Sequence, residues 1–363
     1  MDADTLRAAR GPHAIVPPYL LARLAATQEP RLAAASEAAR ATLAAPRSYR
    51  PVRAQLDLSV DGDALVVEAS PHPDRVISDA RGREELPGTR VRSEDDPPTG
   101  DAAADEAFDG LGATFSFLWE AWGRVSIDGV GGSLLATVHY GDRYDNAFWN
   151  GERMVFGDGD GEVFTGFTGS VTVIAHELGH GVIENAGGLV YSGQSGALNE
   201  SIADVIGVLA EQHLRGQRAD QATWLIGEGI FTDAVQGDAL RSMSAPGTAY
   251  DDDVLGRDPQ PGHMRDFVET TADNGGVHIN SGIPNKAFHL AATALGGFAW
   301  ERAGRIWYLA LTSGAVKPTA DFAAFAQATL DAAEREYGGD SEEHAAVRSA
   351  WSGVGVIEDA AAR

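Results

Sequence analysis

Residues 171–185 read VTVIAHELGHGVIEN, and this segment decides how the rest of the chain is interpreted. It places His176 and His180 four residues apart around Glu177, within an apolar run that favours a helix. Positions four apart lie on one helix face, so both imidazoles can converge on one cation while Glu177 points to its open position. The alternative is that these are ordinary polar residues on a solvent-exposed face. Apolar residues beside each histidine argue against full exposure.

A second segment, GALNESIADVIG (196–207), supplies a carboxylate for the same cation. Catalytic zinc sites use three protein ligands and keep one position open for water. Glu200 is the natural third ligand, and Asp204, four residues on, is placed to accept a hydrogen bond from a ligand histidine. Asn199 is likewise predicted to support the metal ligands without binding the metal itself. A Glu/Asp pair at this spacing more often lies on a solvent-exposed helix face. Because the pair follows HELGH closely, metal binding is the favoured interpretation here. The sequence therefore predicts a Zn²⁺ site.

The composition restricts the partners of the chain. Its 363 residues carry a formal net charge of −25, which argues against nucleic acid and against anionic membrane surfaces. There is no cysteine, so any metal site must use histidine and carboxylate. The N-terminus, MDADTLRAARGPHAIVPPYLLARLAA, has neither a basic start nor a long apolar run. A cytoplasmic location is therefore predicted, with export by another route left open.

The order of predicted elements indicates an α+β fold. Residues 1–46 form a separate, Ala-rich helical unit, and residues 54–70 alternate around VDGDA in the manner of a hairpin. Strand-and-turn patterns continue up to the HELGH segment. Long helical stretches follow at 171–184 and 197–214, and the chain is nearly all helical after about residue 285.

The sequence resembles the thermolysin family of zinc metallopeptidases over residues 75–355. The resemblance rests on HELGH and on five further segments in order, namely NAFWNG (146–151), MVFGDGDG (154–161), GALNESIAD (196–204), LRSMS (240–244) and DNGGVHINSGIPNKAFH (273–289). It implies a two-lobe zincin, with a β-rich N-terminal lobe (51–184), a central HELGH helix and a mainly helical C-terminal lobe (185–363).

The resemblance also implies a role for each matching residue. The zinc ligands are His176, His180 and Glu200. The residues that act on the reacting bond are the general base Glu177, the oxyanion donors His278 and Tyr191, and Asp273, which orients His278. The groups that hold the substrate backbone are Asn146, the Ala147 carbonyl and Arg241. The apolar pocket after the cut is lined by Phe164, Phe167, Val173, Ile230 and Leu240, although some of these could be plain core residues.

Calcium is where the sequence departs from the family pattern. Thr172 stands where an aspartate is usual, and Leu225 replaces a glutamate. Glu211 and Glu228 match calcium ligands, but with so few carboxylates the usual double site looks weakened. Asp238 could hold a separate calcium ion.

The first 50 residues resemble the short inhibitory propeptide of protealysin-like members, through IVPPYLLARLA (15–25). The boundary of this propeptide falls anywhere between 46 and 75, and an ordinary N-terminal helix packed on the fold is the alternative. The whole chain is predicted to be a self-processing zymogen of a neutral metalloendopeptidase. Water bound to zinc would attack peptide bonds on the N-terminal side of bulky apolar residues. The predicted partners are peptide or protein substrates, the chain's own propeptide and a protein inhibitor. A catalytically silent binding module and a narrow-range aminopeptidase are the alternatives.

Overall fold

The structure is a computed structural model that describes residues 13–45, 58–61, 64–67 and 72–358. Most of the predicted propeptide boundary, 46–75, lies outside the described residues. The predicted hairpin is present as two antiparallel strands, β2 (Leu58–Asp61) and β3 (Ala64–Val67), with Leu58 opposite Val67. Its turn, residues 62 and 63, is also outside them.

The elements confirm the predicted α+β fold, with strands concentrated before the HELGH segment and helices after it. The longer strands are β4 (Arg75–Asp79), β5 (Thr89–Ser93), β6 (Leu134–Val138), β7 (Ala147–Trp149) and β8 (Met154–Phe156), and β1 is the short strand His13–Ala14. Four two-residue strands follow, β9 (Leu225–Ile226), β10 (Arg241–Ser242), β11 (Asp251–Asp252) and β12 (Gly256–Arg257). The helices are α1 (Pro18–Ala26), α2 (Ala33–Ala44), α3 (Ala102–Trp122), α4 (Val171–Asn185), α5 (Gly193–Arg215), α6 (Asp273–Asn280), α7 (Gly282–Leu295), α8 (Ala303–Thr312), α9 (Phe322–Tyr337) and α10 (Glu342–Gly353).

The N-terminal lobe is built on a six-stranded sheet whose order is β1-β7-β8-β6-β4-β5. Strand β1 pairs antiparallel with β7, so that His13 faces Trp149 and Ala14 faces Phe148. The N-terminal segment therefore adds an edge strand to the sheet of the lobe, directly beside NAFWNG.

Helices α4 and α5 pack closely at the centre of the molecule. A Cβ atom at Gly179 would lie 2.9 Å from the Cα atom of Ala203, so glycine permits the two backbones to approach. The lower helix propensity of glycine is offset by this contact. From residue 172 to 183, every residue of α4 is buried, which excludes the exposed polar face considered from the sequence.

The N-terminal helices dock on the rest of the molecule through apolar and polar contacts. Leu20, Leu21 and Leu24 of α1 are buried in the main apolar core. Helix α2 has no side-chain cap of its own, and its Ala35 N–H donates to the Glu162 carboxylate at 2.9 Å. Among the described residues, no helix is long and apolar enough to cross a membrane.

Candidate active site

Three side chains from α4 and α5 converge at the centre of the molecule. The Nε2 atoms of His176 and His180 lie 3.1 Å apart, and Glu200 oxygens lie 3.5 Å and 3.6 Å from them. All three residues are buried. A tetrahedral zinc ion with bonds of about 2.0–2.2 Å requires ligand atoms roughly 3.3–3.5 Å apart, so this set fits zinc.

The partners of the two histidines explain why a cation is needed. Nδ1 of His176 lies 2.8 Å from an Asp204 oxygen, and Nδ1 of His180 lies 2.8 Å from Asn199 Oδ1. The Asn199 amide donates to the Leu189 carbonyl, which fixes its oxygen toward His180. Each histidine therefore donates from Nδ1 and presents a bare Nε2 lone pair. Two lone pairs and a carboxylate that face one another repel, and a bound cation removes this repulsion.

Asp204 is held by more groups than the sequence indicated. It accepts bidentate hydrogen bonds from Arg241 at 2.8 Å and 2.9 Å, and one from the Asn285 amide at 2.8 Å. Burial would raise the pKa of Asp204, but Arg241 and then His176 outweigh it and hold that pKa below its usual range. Asn285 was missed, because a residue 81 positions away carries no local signal for this contact.

Glu177 is fully buried beside the ligand cluster, and neither of its carboxylate oxygens has a hydrogen-bond partner. Burial first, and the negative charge of Glu200 second, raise its pKa well above the usual value. The backbone N–H groups of Trp149 and Ile15 lie near enough to oppose this in part, but neither makes a hydrogen bond of good geometry. A carboxylate in this environment is a strong proton acceptor.

Tyr191 and His278 lie on the other side of the cluster. The Tyr191 hydroxyl donates to Glu200 and lies 3.2 Å from His278 Nε2. Burial and then Glu200 raise the pKa of Tyr191 well above its usual value, so the hydroxyl keeps its proton.

Asp273 fixes the other edge of the His278 ring, because its Oδ1 atom lies 2.6 Å from Nδ1. Burial alone would lower the pKa of His278, but Asp273 and then Glu200 raise it to about 9. A cation on Glu200 would reduce the second contribution. Asp273 itself, at φ 52°, begins a left-handed stretch that continues through Gly275 and Gly276, which explains the glycines of DNGGVHIN.

The groups predicted to hold a substrate backbone all bind the N-terminal segment. Asn146 accepts a hydrogen bond from Val16 N–H at 2.9 Å and donates to the Val16 carbonyl at 3.1 Å. The Ala147 carbonyl accepts from Ile15 N–H at 3.1 Å, and Arg241 donates to the Ile15 carbonyl at 3.0 Å. Residues 15 and 16 thus use every polar contact that was expected for a substrate.

The five predicted pocket residues lie in the main apolar core. Each is 2% exposed or less, and the fully buried side chain of Ile15 belongs to the same core cluster; the five are Phe164, Phe167, Val173, Ile230 and Leu240. Ile15 and the five predicted pocket residues are therefore buried parts of one apolar core.

Two of the residues considered for calcium have other partners. Thr172 accepts a hydrogen bond from Gly227 N–H at 2.9 Å, which a threonine hydroxyl can do without a cation. Glu211 forms an ion pair with Arg215 at 3.0 Å, and burial, opposed by Arg215, raises its pKa, with Glu228 adding to the rise. Asp238 is exposed.

His13 lies beside the ligand cluster, although no pattern in the sequence assigned it a role there. Its ring stacks on that of His180, with centroids 4.3 Å apart, and meets Tyr191 edge-on at 4.2 Å. Ala14, the next residue, accepts a hydrogen bond from His278 Nε2 at 2.9 Å. No spacing rule connects His13 with a helix that begins at Val171.

Two adjoining parts of the chain match models of one peptidase family. Residues 56–184 match the catalytic domain of thermolysin metallopeptidase, and residues 187–356 match its alpha-helical domain. The fold and the buried His₂Glu cluster together define a metallopeptidase with a zinc site. The chain belongs to the thermolysin family, and membership implies zinc binding.

Individual relatives extend this assignment. An extracellular metalloprotease of Pectobacterium carotovorum subsp. carotovorum is 52% identical over 282 residues, which span 78% of this chain and 81% of the relative. Protease PrtS of Photorhabdus sp. (strain Az29) is 50% identical over 301 residues, with 82% and 80% covered. The solved precursor of protealysin, a metalloproteinase from Serratia proteamaculans, is 48% identical with a TM-score of 0.85, over 95% of this chain and all of that one. The predicted metalloendopeptidase class and protealysin-like subgroup are therefore confirmed.

The predicted cytoplasmic location is wrong. The Pectobacterium relative, which covers most of the chain at 52% identity, is named an extracellular metalloprotease. The expectation depended on the composition of the first residues alone, and the lack of a basic start and an apolar run there does not decide the compartment.

Proposed function

We propose that this chain is the self-inhibited precursor of a zinc endopeptidase, with its own N-terminal segment bound in the substrate cleft. The observation that carries the proposal is the set of contacts made by residues 14–16. Asn146, Ala147, Arg241 and His278 bind this segment through the polar groups that a peptide substrate would need. A segment bound in this way excludes any other peptide from the cleft.

We assign the chemical roles to the residues around the ligand cluster. His176, His180 and Glu200 would hold Zn²⁺, which would supply a Lewis acid and would lower the pKa of its bound water to about 7. Glu177 takes the proton of the attacking water and passes it to the leaving amine.

Charge develops on the carbonyl oxygen as the water attacks. His278 and Tyr191 donate hydrogen bonds to that oxygen, and Asp273 keeps the His278 ring in position. Asp204 and Asn199 keep the ligand histidines in the correct tautomer.

The cleavage preference follows from the pocket that would receive the residue after the cut. Ile15 occupies the corresponding position in the bound segment, buried in the same apolar core as the five pocket residues. We therefore propose cleavage on the N-terminal side of Leu, Ile, Val or Phe, because a charged side chain there would lose its hydration without a partner.

Two further assignments belong to this proposal. Residues 1–50 form the propeptide, with a boundary between 46 and 75, followed by the lobes 51–184 and 185–363. The double calcium site is weakened, because Arg215 already pairs with Glu211 and Thr172 offers no carboxylate. A separate protein inhibitor stays a prediction.

The test compares the purified chain with its Glu177→Gln variant and with Glu301→Gln, which alters an exposed glutamate. We expect one zinc ion per chain in all three proteins. Self-processing and casein cleavage should be lost only in Glu177→Gln. Cleavage sites mapped by mass spectrometry should precede apolar residues. Equal activity of Glu177→Gln and Glu301→Gln would overturn the proposed mechanism.

A further inference from the structure

The bound N-terminal segment lies in the register of a substrate about to be cut. The Ala14 carbonyl faces the oxyanion donor His278, at 2.9 Å from Nε2. The next residue, Ile15, is fixed at both its N–H and its carbonyl, by Ala147 and Arg241. The peptide bond between Ala14 and Ile15 is therefore at the reacting position, close to the general base Glu177. A precursor that holds this bond intact needs a feature that blocks its hydrolysis.

His13 is the side chain placed to provide that feature. It is 8% exposed, and its buried Nδ1 atom has no hydrogen-bond partner. One ring nitrogen of His13, one of His180 and an oxygen of Glu200 all lie within 4.8 Å of one another. A buried imidazole nitrogen without a partner is unfavourable, and a metal ion is a partner that this position can offer.

The distances are compatible with His13 as a fourth zinc ligand after a small movement of its side chain. Ligand atoms of a tetrahedral zinc ion lie roughly 3.3–3.5 Å apart, so from a separation of at most 4.8 Å the His13 nitrogen must approach those of His180 and Glu200 by no more than about 1.5 Å. Rotation of the His13 side chain about its two dihedral angles can supply this movement. The hydrogen bond at Ala14 and those at Ile15 keep the backbone of the segment in place meanwhile.

We propose that His13 is the fourth protein ligand of the zinc ion in the precursor, so that it occupies the position needed by the attacking water and keeps the Ala14–Ile15 bond intact. A zinc site with four protein ligands is closed and structural, whereas a site with three is open and catalytic. Departure of the N-terminal segment converts the first kind into the second. This inference rests on the zinc site of the proposed function.

The experiment uses the full-length Glu177→Gln chain, which cannot process itself, loaded with Co²⁺ as a spectroscopic substitute for zinc. It is compared with the double variant Glu177→Gln, His13→Phe. Phenylalanine keeps a ring that can stack on His180 and Tyr191 but has no ligand nitrogen. Unfolding temperatures measured for both proteins check that each is folded.

In the parent, we expect a Co²⁺ visible spectrum that does not respond to added azide, because no coordination position is open. In the His13→Phe variant, the spectrum should change and azide should bind. The same substitution should speed the loss of zinc to a chelator about tenfold or more, as loss of groups at a metal site does.

Identical spectra, azide responses and zinc-loss rates in the two folded proteins would overturn the role of His13 while leaving the zinc site in place. A further variant, Glu200→Gln, distinguishes a failure of the His13 proposal from a failure of the zinc site itself. If it bound zinc as tightly as the parent, the proposed zinc site itself would be wrong.

Discussion

Arg241 and Asp204 form a bidentate ion pair in which neither side chain is exposed. The pair connects two parts of the site. Asp204 also accepts a hydrogen bond from the ligand His176, and Arg241 also donates to the Ile15 carbonyl of the bound segment. The positive charge that binds a peptide carbonyl is thus balanced by the carboxylate that orients a metal ligand.

Replacing Asp204 with alanine should damage stability and zinc binding together. The Arg241 guanidinium would stay buried without its partner, which costs about 3–5 kcal/mol of unfolding free energy. His176 would lose the acceptor for its Nδ1 proton, and zinc affinity should fall roughly 10–100-fold. Urea unfolding and zinc competition in the Glu177→Gln background measure the two effects. Asp331→Asn, at an exposed position, is the control, and unchanged zinc affinity in Asp204→Ala would contradict the role assigned to Asp204.

Replacing His278 with alanine should lower kcat of the processed enzyme by about 10²–10³ with little change in KM. The physical reason is that its hydrogen bond to the carbonyl oxygen strengthens only as charge develops there. Asp273→Asn should give a smaller loss of kcat, because the ring keeps its place but loses its charged partner at 2.6 Å. Steady-state kinetics on a peptide with an apolar residue after the cut provide the measurement. A rise in KM without a change in kcat would show that His278 only binds substrate.

The central helices were predictable because their signals are local. The expected stretches 171–184 and 197–214 correspond to Val171–Asn185 and Gly193–Arg215. Ligand spacing on a helix is fixed by its period, so His176 and His180 could be paired from the sequence. Their meeting with Glu200 depended on the resemblance to a known family, since spacing alone does not bring two helices together.

Contacts between distant parts of the chain were not predictable in this way. The pairing of β1 with β7 joins His13 to Trp149, and no local pattern specifies the partner of a two-residue edge strand. Because of a similarly large separation along the chain, the contacts of His13 with the ligand cluster and of Asn285 with Asp204 could not be predicted. The IVPPYLL pattern of the N-terminal segment therefore identified the protealysin-like subgroup correctly. It did not predict where the nearby His13 would lie.

Asp145 should make the precursor less stable as the pH rises. Its carboxyl is fully buried beside Asp160, and neither oxygen accepts a hydrogen bond from a donor. Burial first, and the Asp160 carboxylate second, raise its pKa to about 9, and the nearby backbone N–H of Asp160 and then Arg143 oppose this rise in part. Between the usual carboxyl pKa and 9, the folded chain keeps a proton that the unfolded chain has released. The free energy of unfolding therefore falls as pH rises, by up to about 1.4 kcal/mol per pH unit.

The substitution Asp145→Asn removes that titration. Relative to the Glu177→Gln parent, it should gain unfolding free energy steadily from pH 5 to pH 8. Denaturant unfolding at several pH values measures this difference, with Asp331→Asn as an exposed carboxylate control. A difference that stays constant across this range would mean that Asp145 is ionised in the folded protein.

Glu162 should control how firmly the N-terminal helices are docked. Its carboxylate accepts a hydrogen bond from Ala35 N–H at the start of α2, at 2.9 Å, and so replaces the side-chain cap that α2 lacks. Loss of such a cap costs about 1 kcal/mol, which corresponds to roughly a fivefold change in an equilibrium. In the Glu162→Ala precursor, the equilibrium constant for docking of the N-terminal helices should fall by this factor. The rate of self-processing should rise accordingly. Gel densitometry of the full-length band over time measures that rate.

A matched variant separates docking from general damage to the lobe. Thr42→Val removes a different contact of α2, in which the Thr42 hydroxyl accepts from Asp145 N–H at 2.9 Å, and it changes no residue outside the N-terminal unit. It should also accelerate processing, because one docking hydrogen bond is lost and a buried N–H is left without an acceptor. Once the N-terminal unit has been removed, enzyme from the Thr42→Val precursor and from the parent should have the same kcat/KM. Slower processing in both variants would instead mean that docking of α2 assists cleavage.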